Sequence, residues 1–325
     1  MTNKQIINKI KKAKNVAIFS HRAPDPDACG SMFGLYEFCH AIGQNNVDVF
    51  VKKTKEKYLD YIFPINDAKE NFIASEYDLV IFVDMHEIKR AELVFQEELK
   101  KAKDVLIIDH HLISKEEDFS YKHYRIEDLA SCSQMMVDLY KAAEIKPSAK
   151  AATYIYAGIM GDTDRFLHSN LSKVVFEKAM FLLECGADVQ NVYDYLYRFK
   201  TQTQLKVNKF FLNNIQFIEN GKVAYFLVSE KDKNKLNADR EDIKAFASEM
   251  IKIKGVKLSF LCYEFTGGHY KVSLRSVGDL DTRILANKMN GGGHLNSSGF
   301  DVYNTNKKKI KKMIPAWTKE LLNDK

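Results

Sequence analysis

Long apolar runs are missing from this sequence. No stretch approaches the ~18 residues that a membrane-spanning helix needs, so no segment reads as one. Cysteine is sparse and scattered: five residues, at positions 29, 39, 132, 185 and 262, with no CxxC pair. That spacing argues against a cysteine-ligated zinc site. An odd, dispersed set of thiols points to a reducing, cytoplasmic location, since the N-terminus reads as an amphipathic helix (Ile6, Ile7, Ile10) and not a secretory h-region. Internal repeats and low-complexity tracts are absent. Proline is rare, five in all, and two of them, Pro24 and Pro26, fall in one loop. Neither sign of charge dominates: 49 Lys and Arg against 43 Asp and Glu give a net charge of +6. The densest basic run, Lys307-Lys308-Lys309 with Lys311-Lys312, reads as the solvated face of a terminal helix. Nothing beyond this mild field supports duplex nucleic-acid binding, although such a field favours an anionic substrate.

What is present is an α/β alternation. At 325 residues, 46% hydrophobic and 28% charged, the chain suits two globular domains. Short apolar strands are expected over 16–20, 47–51, 79–83 and 105–108, with helices over 29–42, 134–143, 149–160 and 173–184. Near-continuous apolar strands separated by helices predict a parallel sheet covered on both faces. A long polar helix follows over 189–212. Beyond it the pattern changes to hairpins, one around Asn220-Gly221 and one around Thr266-Gly267-Gly268-His269. The expected organisation is a first domain over 1–186, a helical linker over 187–212 and a smaller α+β domain over 213–325.

Polar residues gather where the apolar strands end. Asp109-His110-His111 follows the run 105–108, and Asp84 follows 79–83. After 16–20 comes a proline-stiffened loop carrying His21, Asp25 and Asp27. In an open parallel sheet, ligands bind in the crevice beyond the carboxyl ends of the strands. A fourth group, Gly161-Asp162-Thr163-Asp164-Arg165, closes the helix that begins at 149; Asp162 joins the candidate set, while Asp164 reads as solvated. Asp25, Asp27, Asp84, Asp109 and Asp162 would crowd five carboxylates into one small volume, and their repulsion calls for cations. Two divalent ions would neutralise it. Mixed Asp and His ligation suits Mn²⁺ better than Mg²⁺, with Co²⁺ or Fe²⁺ also compatible.

The smaller domain carries its own signal. Asn290-Gly291-Gly292-Gly293-His294 reads as a loop after a helical segment, its glycines letting backbone N–H groups approach an anion and His294 adding a donor. Upstream, 271–276 alternates as an edge or half-exposed strand, with Ser273 and Arg275 on one face and Arg275 suited to clamp a phosphate.

With these motifs the chain resembles the DHH phosphoesterase superfamily, in the two-domain form with a DHH-associated domain, and within it the nanoRNase/pAp phosphatase family. The resemblance implies an N-terminal parallel-sheet domain, a C-terminal α+β domain, and an active site in the cleft between them. It implies two Mn²⁺ ions and hydroxide attack on short oligoribonucleotides and on 3′-phosphoadenosine 5′-phosphate (pAp), releasing nucleoside monophosphates. By motif position His21 and Asp25 would hold one ion, and Asp27 and His110 the other. Asp84 would bridge, and Asp162 would complete the set. His111 would face the scissile phosphate, and Asp109 would orient the imidazoles. Ser273, Arg275, Gly291, Gly292, Gly293 and His294 would hold the substrate. The resemblance also suggests a homodimer. Asp164, Cys132 and Ser297-Ser298 depart from the family's usual residues, without removing a ligand. A cyclic di-AMP or pApA phosphodiesterase on the same scaffold is the alternative, and a non-catalytic RNA-binding module is a third reading.

Overall fold

The computed structural model describes residues 1–52, 59–111, 121–126, 129–167 and 171–323. They divide into two compact units, Met1–Phe199 and Lys200–Lys325.

The first unit opens with helix α1 (Asn3–Lys12), strand β1 (Val16–Phe19), helix α2 (Pro26–Ala41) and strand β2 (Val47–Phe50). Then come β3 (Leu79–Val83), α3 (Leu93–Leu99), β4 (Val105–Asp109) and β5 (Lys122–Arg125). Helices α4 (Ser133–Ala142), α5 (Ala149–Asp162), α6 (Lys173–Glu184) and α7 (Val189–Tyr193) follow. Among the described residues the strands form one sheet in the order β2-β1-β3-β4-β5, and every pairing in it is parallel. The strands alternate between two apolar layers: Val16, Ile18, Ile81, Val83, Leu106 and Ile108 face one core, and Ala17, Phe19, Val80, Phe82 and Ile107 the other. Burial on both faces is why β1, β3 and β4 read as unbroken apolar runs. Strand β5, Lys-His-Tyr-Arg, lies at the sheet edge and is only partly buried, so its sequence carries no such run.

Chain order reverses at β1: the chain goes to β2 on one side and returns to β3 on the other. A crevice opens at such a switch point, and His21 and Asp84 follow the two strands that flank it. Helix α2 begins earlier than 29. The Asp25 side chain caps it by accepting from the N–H groups of Asp27 and Ala28, both at 3.0 Å, and Pro26 supplies the preset φ of a first helical residue. Asp27 therefore belongs to the first helical turn and not to the loop.

The single helix expected over 189–212 is interrupted. α7 widens into a π-turn at Asp194–Arg198, Phe199 is extended, and Thr201 starts helix α8 (Gln202–Asn214). The cause is a capping box: Gln204 N–H donates to Thr201 Oγ1 (3.1 Å) and Thr201 N–H donates to Gln204 Oε1 (2.9 Å). The chain divides into its two units just ahead of this cap, so residues 187–212 are shared between them.

The second unit continues with β6 (Gln216–Ile218), β7 (Val223–Val228), α9 (Glu230–Leu236), α10 (Glu241–Lys244), α11 (Phe246–Ile251), β8 (Leu258–Glu264) and β9 (Tyr270–Ser276). It ends with α12 (Arg283–Lys288), β10 (Gly292–His294), β11 (Ser297–Val302) and α13 (Lys307–Asn323). The strands form a second sheet, β10-β11-β9-β8-β7-β6, in which only β7 and β8 run parallel among the described residues. Two expectations are corrected here. β9 is interior, covered by β8 and β11, though its alternate residues are half-exposed as expected. The glycine segment is not a free loop, because Gly292–His294 is the edge strand itself. On α13, Ile310, Ile314, Trp317 and Leu321 are buried while Lys308, Lys309, Lys311 and Lys312 are exposed, which is the solvated basic face.

Candidate metal centre

Asp84 is the hub of the site. It follows β3 with a left-handed backbone (φ +52°) and is 2% exposed. A non-glycine residue held there costs roughly 1–2 kcal/mol, an outlay that asparagine and aspartate tolerate best. Its Oδ2 lies 3.4 Å from His21 Nε2, and its Oδ1 lies 3.4 Å from His110 Nε2. His21 Nε2 is also 3.9 Å from Asp25 Oδ2. His110 Nε2 is 3.3 Å from Asp162 Oδ2 and 3.8 Å from Asp27 Oδ2. Four three-residue groups result among the described residues: His21–Asp25–Asp84 and Asp27–His110–Asp162, joined through the contact between Asp84 and His110, with Asp84–His110–His111 and His86–Asp109–His111 beside them.

Asp27 reaches this group from α2 and is fully buried. Its two oxygens accept the backbone N–H groups of Cys132 (2.6 Å) and Ser133 (2.9 Å), at the start of α4. It thus fixes that helix terminus and leaves Oδ2 beside His110. The space for this arrangement comes from α5. A Cβ on Gly158 would lie 1.9 Å from Ser133 Oγ and 3.0 Å from Asp27 Oδ1.

The ring nitrogens are already sorted. His21 Nδ1 lies 3.0 Å from the Arg22 carbonyl and His110 Nδ1 lies 3.0 Å from the Leu129 carbonyl. A carbonyl only accepts, so both Nδ1 atoms carry the proton and both Nε2 lone pairs point at the carboxylates. Two buried atoms there, Asp84 Oδ1 and His110 Nε2, have no hydrogen-bond partner. Gaps of 3.3–3.9 Å are long for hydrogen bonds. Those of 3.3–3.4 Å suit neighbouring atoms around a shared ion, which for bonds of about 2.1 Å sit roughly 3.0–3.5 Å apart, while the contacts to Asp25 and Asp27 are wider. The donor set of imidazole and carboxylate fits a divalent first-row metal.

Without an ion, protons take its place. Burial works against the proton of His21, but Asp84 and Asp25 outweigh it and raise the imidazole to about 9. His110 is opposed by burial in the same way and raised to about 12 by Asp162 and Asp84. Burial, then the charges of Asp84 and Asp162, push Asp25 up to about 6. Burial and the same kind of repulsion, from Asp162 and Asp84, push Asp27 well above the carboxylate range. Burial opposes Asp84 too, yet His110 and His21 hold it below its ordinary value.

Asp109, fully buried at the end of β4, stands behind this group. Its Oδ1 accepts from His111 Nδ1 at 2.7 Å and from the backbone N–H groups of His110 and His111. These bonds and one from His86 hold its carboxyl well below the usual range against the effect of burial. His111 is the more open imidazole, with its Nδ1 3.5 Å from Asp84 Oδ1. Sequence reasoning missed two residues here. His86 Nδ1 lies 3.1 Å from Asp109 Oδ2, and Arg125 Nη2 lies 3.8 Å from the same oxygen. The signal for His86 is its place two residues after Asp84. Arg125 has none, because its partner Asp109 is reached only through the pairing of β5 with β4.

In the second unit, strand register aligns the remaining candidates. Arg275, Ser297 and His294 lie side by side across β9, β11 and β10, and so do Ser273, Gly299 and Gly292. Directly paired residues share a face, so Arg275 and His294 stand on the half-exposed face, next to a row nearly bare of side chains. Gly293 is required as glycine: φ is +143°, and a Cβ would lie 2.4 Å from the Ser297 carbonyl oxygen.

The sequence model of the DHH family, N-terminal domain, matches residues 15–159, and that of the DHHA1 domain matches residues 212–320. The bifunctional oligoribonuclease and PAP phosphatase NrnA of Mycoplasma genitalium is 30% identical, over 98% of this chain and 97% of that protein. The probable protein of the same name from Streptococcus mutans is 30% identical over 92% of this chain and 93% of its own. A solved structure of an exopolyphosphatase-related protein from Bacteroides fragilis superposes with a TM-score of 0.86 at 25% identity, covering 99% of this chain and 97% of that one.

Proposed function

From the premise that this chain belongs to the DHH family, with a DHHA1 domain following in sequence, we propose that it is a Mn²⁺-dependent phosphoesterase cleaving oligoribonucleotides of a few residues and pAp. The chain is a hydrolase of ester bonds, as its family is. The observation that carries the reading is the pair of joined ligand groups around Asp84, with the buried atoms Asp84 Oδ1 and His110 Nε2 left without hydrogen bonds. His21, Asp25 and Asp84 would hold one ion, and Asp27, His110 and Asp162 the other, with Asp84 shared. When bound, the ions supply Lewis acidity and make water a nucleophile near neutral pH. Asp109 fixes the His111 tautomer, so that His111 presents Nε2 to the phosphate. Ser273, Arg275, His294 and the glycine strand are assigned to substrate binding, Arg275 as the anion clamp. The names of the relatives support the choice of substrate.

Two further features belong to this proposal. The cysteines are free and four are buried, which suits a reducing cytoplasm. Helix α6 leaves Phe176, Met180 and Leu183 exposed along one face, a surface for a second copy; light scattering tests it. No helix among the described residues is long and apolar enough to cross a membrane.

Turnover of a diribonucleotide, pAp and cyclic di-AMP, side by side with Mn²⁺, tests the function. The first two are expected to be cleaved. Cleavage of cyclic di-AMP without them replaces the reading with the phosphodiesterase alternative, and RNA binding without any hydrolysis replaces it with a binding module.

A further inference from the structure

We propose that His86 is a positioning residue that acts through Asp109 to fix the ring of His111. The proposal rests on the phosphoesterase reading above.

His86 is 7% exposed, and both its ring nitrogens face carboxylates: Nδ1 is 3.1 Å from Asp109 Oδ2 and Nε2 is 3.3 Å from Glu87 Oε1. Nδ1 is pinned by a hydrogen bond, and the Glu87 carboxylate stands near the other nitrogen. On the far side of Asp109, His111 Nδ1 lies 2.7 Å from Oδ1, and the centroids of the two imidazoles are 6.0 Å apart. Four residues thus form one chain, Glu87–His86–Asp109–His111, whose last ring stands beside Asp84.

The torsion that carries a carboxylate is broad, so its plane is set by whatever its oxygens touch. Oδ1 of Asp109 is held by His111 and by two backbone N–H groups. On Oδ2 the short contact is His86, and Arg125 Nη2 stands farther off at 3.8 Å. Removing the His86 donor leaves Arg125 Nη2, 3.8 Å away, as the nearest cation among the described residues. Closing that gap turns the carboxylate and draws Oδ1 away from His111 Nδ1. His111 then loses both its tautomer and its direction, although no metal ligand has been touched. Partners that orient a ligand or catalytic imidazole in this way are worth about 10–100-fold in activity.

Two polar variants separate the ends of the ring. Asn at position 86 places an N–H near the site of Nδ1, whereas Gln carries it toward the site of Nε2. His86→Asn is expected to keep kcat within about threefold of wild type. His86→Gln is expected to lower kcat about 10–100-fold with KM little changed, on pAp and on bis(p-nitrophenyl) phosphate with Mn²⁺. Both variants keep the wild-type metal content by elemental analysis. In ¹⁵N-histidine spectra of the metal-free protein, His111 holds the Nδ1–H tautomer in wild type and His86→Asn, and becomes a mixture in His86→Gln. Equal kcat losses in the two variants, a lost metal equivalent in either, or unchanged His111 signals in His86→Gln overturn the proposal. A wild type that cleaves neither substrate overturns the phosphoesterase reading instead, and the His111 spectra still decide the role of His86.

Discussion

One added methyl group, Gly158→Ala, is expected to disable half of the metal centre from a position that touches no ion. The new Cβ would lie 1.9 Å from Ser133 Oγ and 2.7 Å from Ser133 Cβ. Rotating the hydroxyl relieves only the first clash, so the backbone of Ser133 has to move. That backbone donates 2.9 Å to Asp27 Oδ1, and its neighbour Cys132 donates 2.6 Å to Oδ2. Overpacking of this kind costs about 1–3 kcal/mol, and a hydrogen bond to a charged group adds about 1.5–3 kcal/mol. A total of roughly 2.5–6 kcal/mol lowers Tm by roughly 5–25 °C for a unit of this size. Because Asp27 is displaced with Ser133, one of two Mn²⁺ equivalents weakens by at least roughly tenfold, while the group around His21 and Asp25 keeps its ion. Differential scanning calorimetry reads the first effect and isothermal titration with Mn²⁺ the second. Adding Ser133→Gly removes both clashing atoms, keeps the N–H that Asp27 needs, and is expected to restore the second equivalent. A Gly158→Ala protein of wild-type stability with two equal Mn²⁺ sites would refute the link between this helix contact and the ligand.

Other expectations follow from the same geometry. Above the ordinary carboxylate range, metal-free protein loses stability as pH rises. Asp25, raised to about 6, contributes stability that is lost as pH climbs through that value, and His21, raised to about 9, contributes stability present below 6.5 and lost as pH climbs through 9. Thermal scans across this range with and without Mn²⁺ test the sign, because ions displace these protons and should stabilise most at the alkaline end; a metal-free Tm that climbs with pH contradicts it. Asp84→Asn keeps a side chain suited to φ +52° and so folds, but it weakens both metal positions and abolishes turnover, as titration and rate measurements would show. Arg275→Ala is expected to raise KM for pAp by about tenfold or more with kcat changed far less, since the proposal makes it a substrate clamp and no reacting group; an equal fall in kcat with KM constant would place Arg275 in the chemical step instead.

Much of the candidate metal centre was legible in the sequence because parallel strands buried on both faces leave so plain a mark. Where an apolar run such as 79–83 or 105–108 stops, the next residues must stand at its carboxyl end, and Asp84, Asp109, His110 and His111 could be placed there without coordinates. The glycines and the Ser273–Arg275 alternation were visible for a similar reason, as local backbone and pleat requirements. Tertiary structure decided what depends on partners distant in the chain. Asp27 caps α4 across 106 residues, β5 brings Arg125 to Asp109 from a strand with no apolar run, and β11 sets Arg275 in register with His294. Nothing local distinguishes His86 from any polar residue beyond a strand; its place between Asp109 and Glu87 exists only in the folded chain. Periodicity is written residue by residue along a chain. Pairing between segments depends on how the folded layers meet, and no local pattern records it.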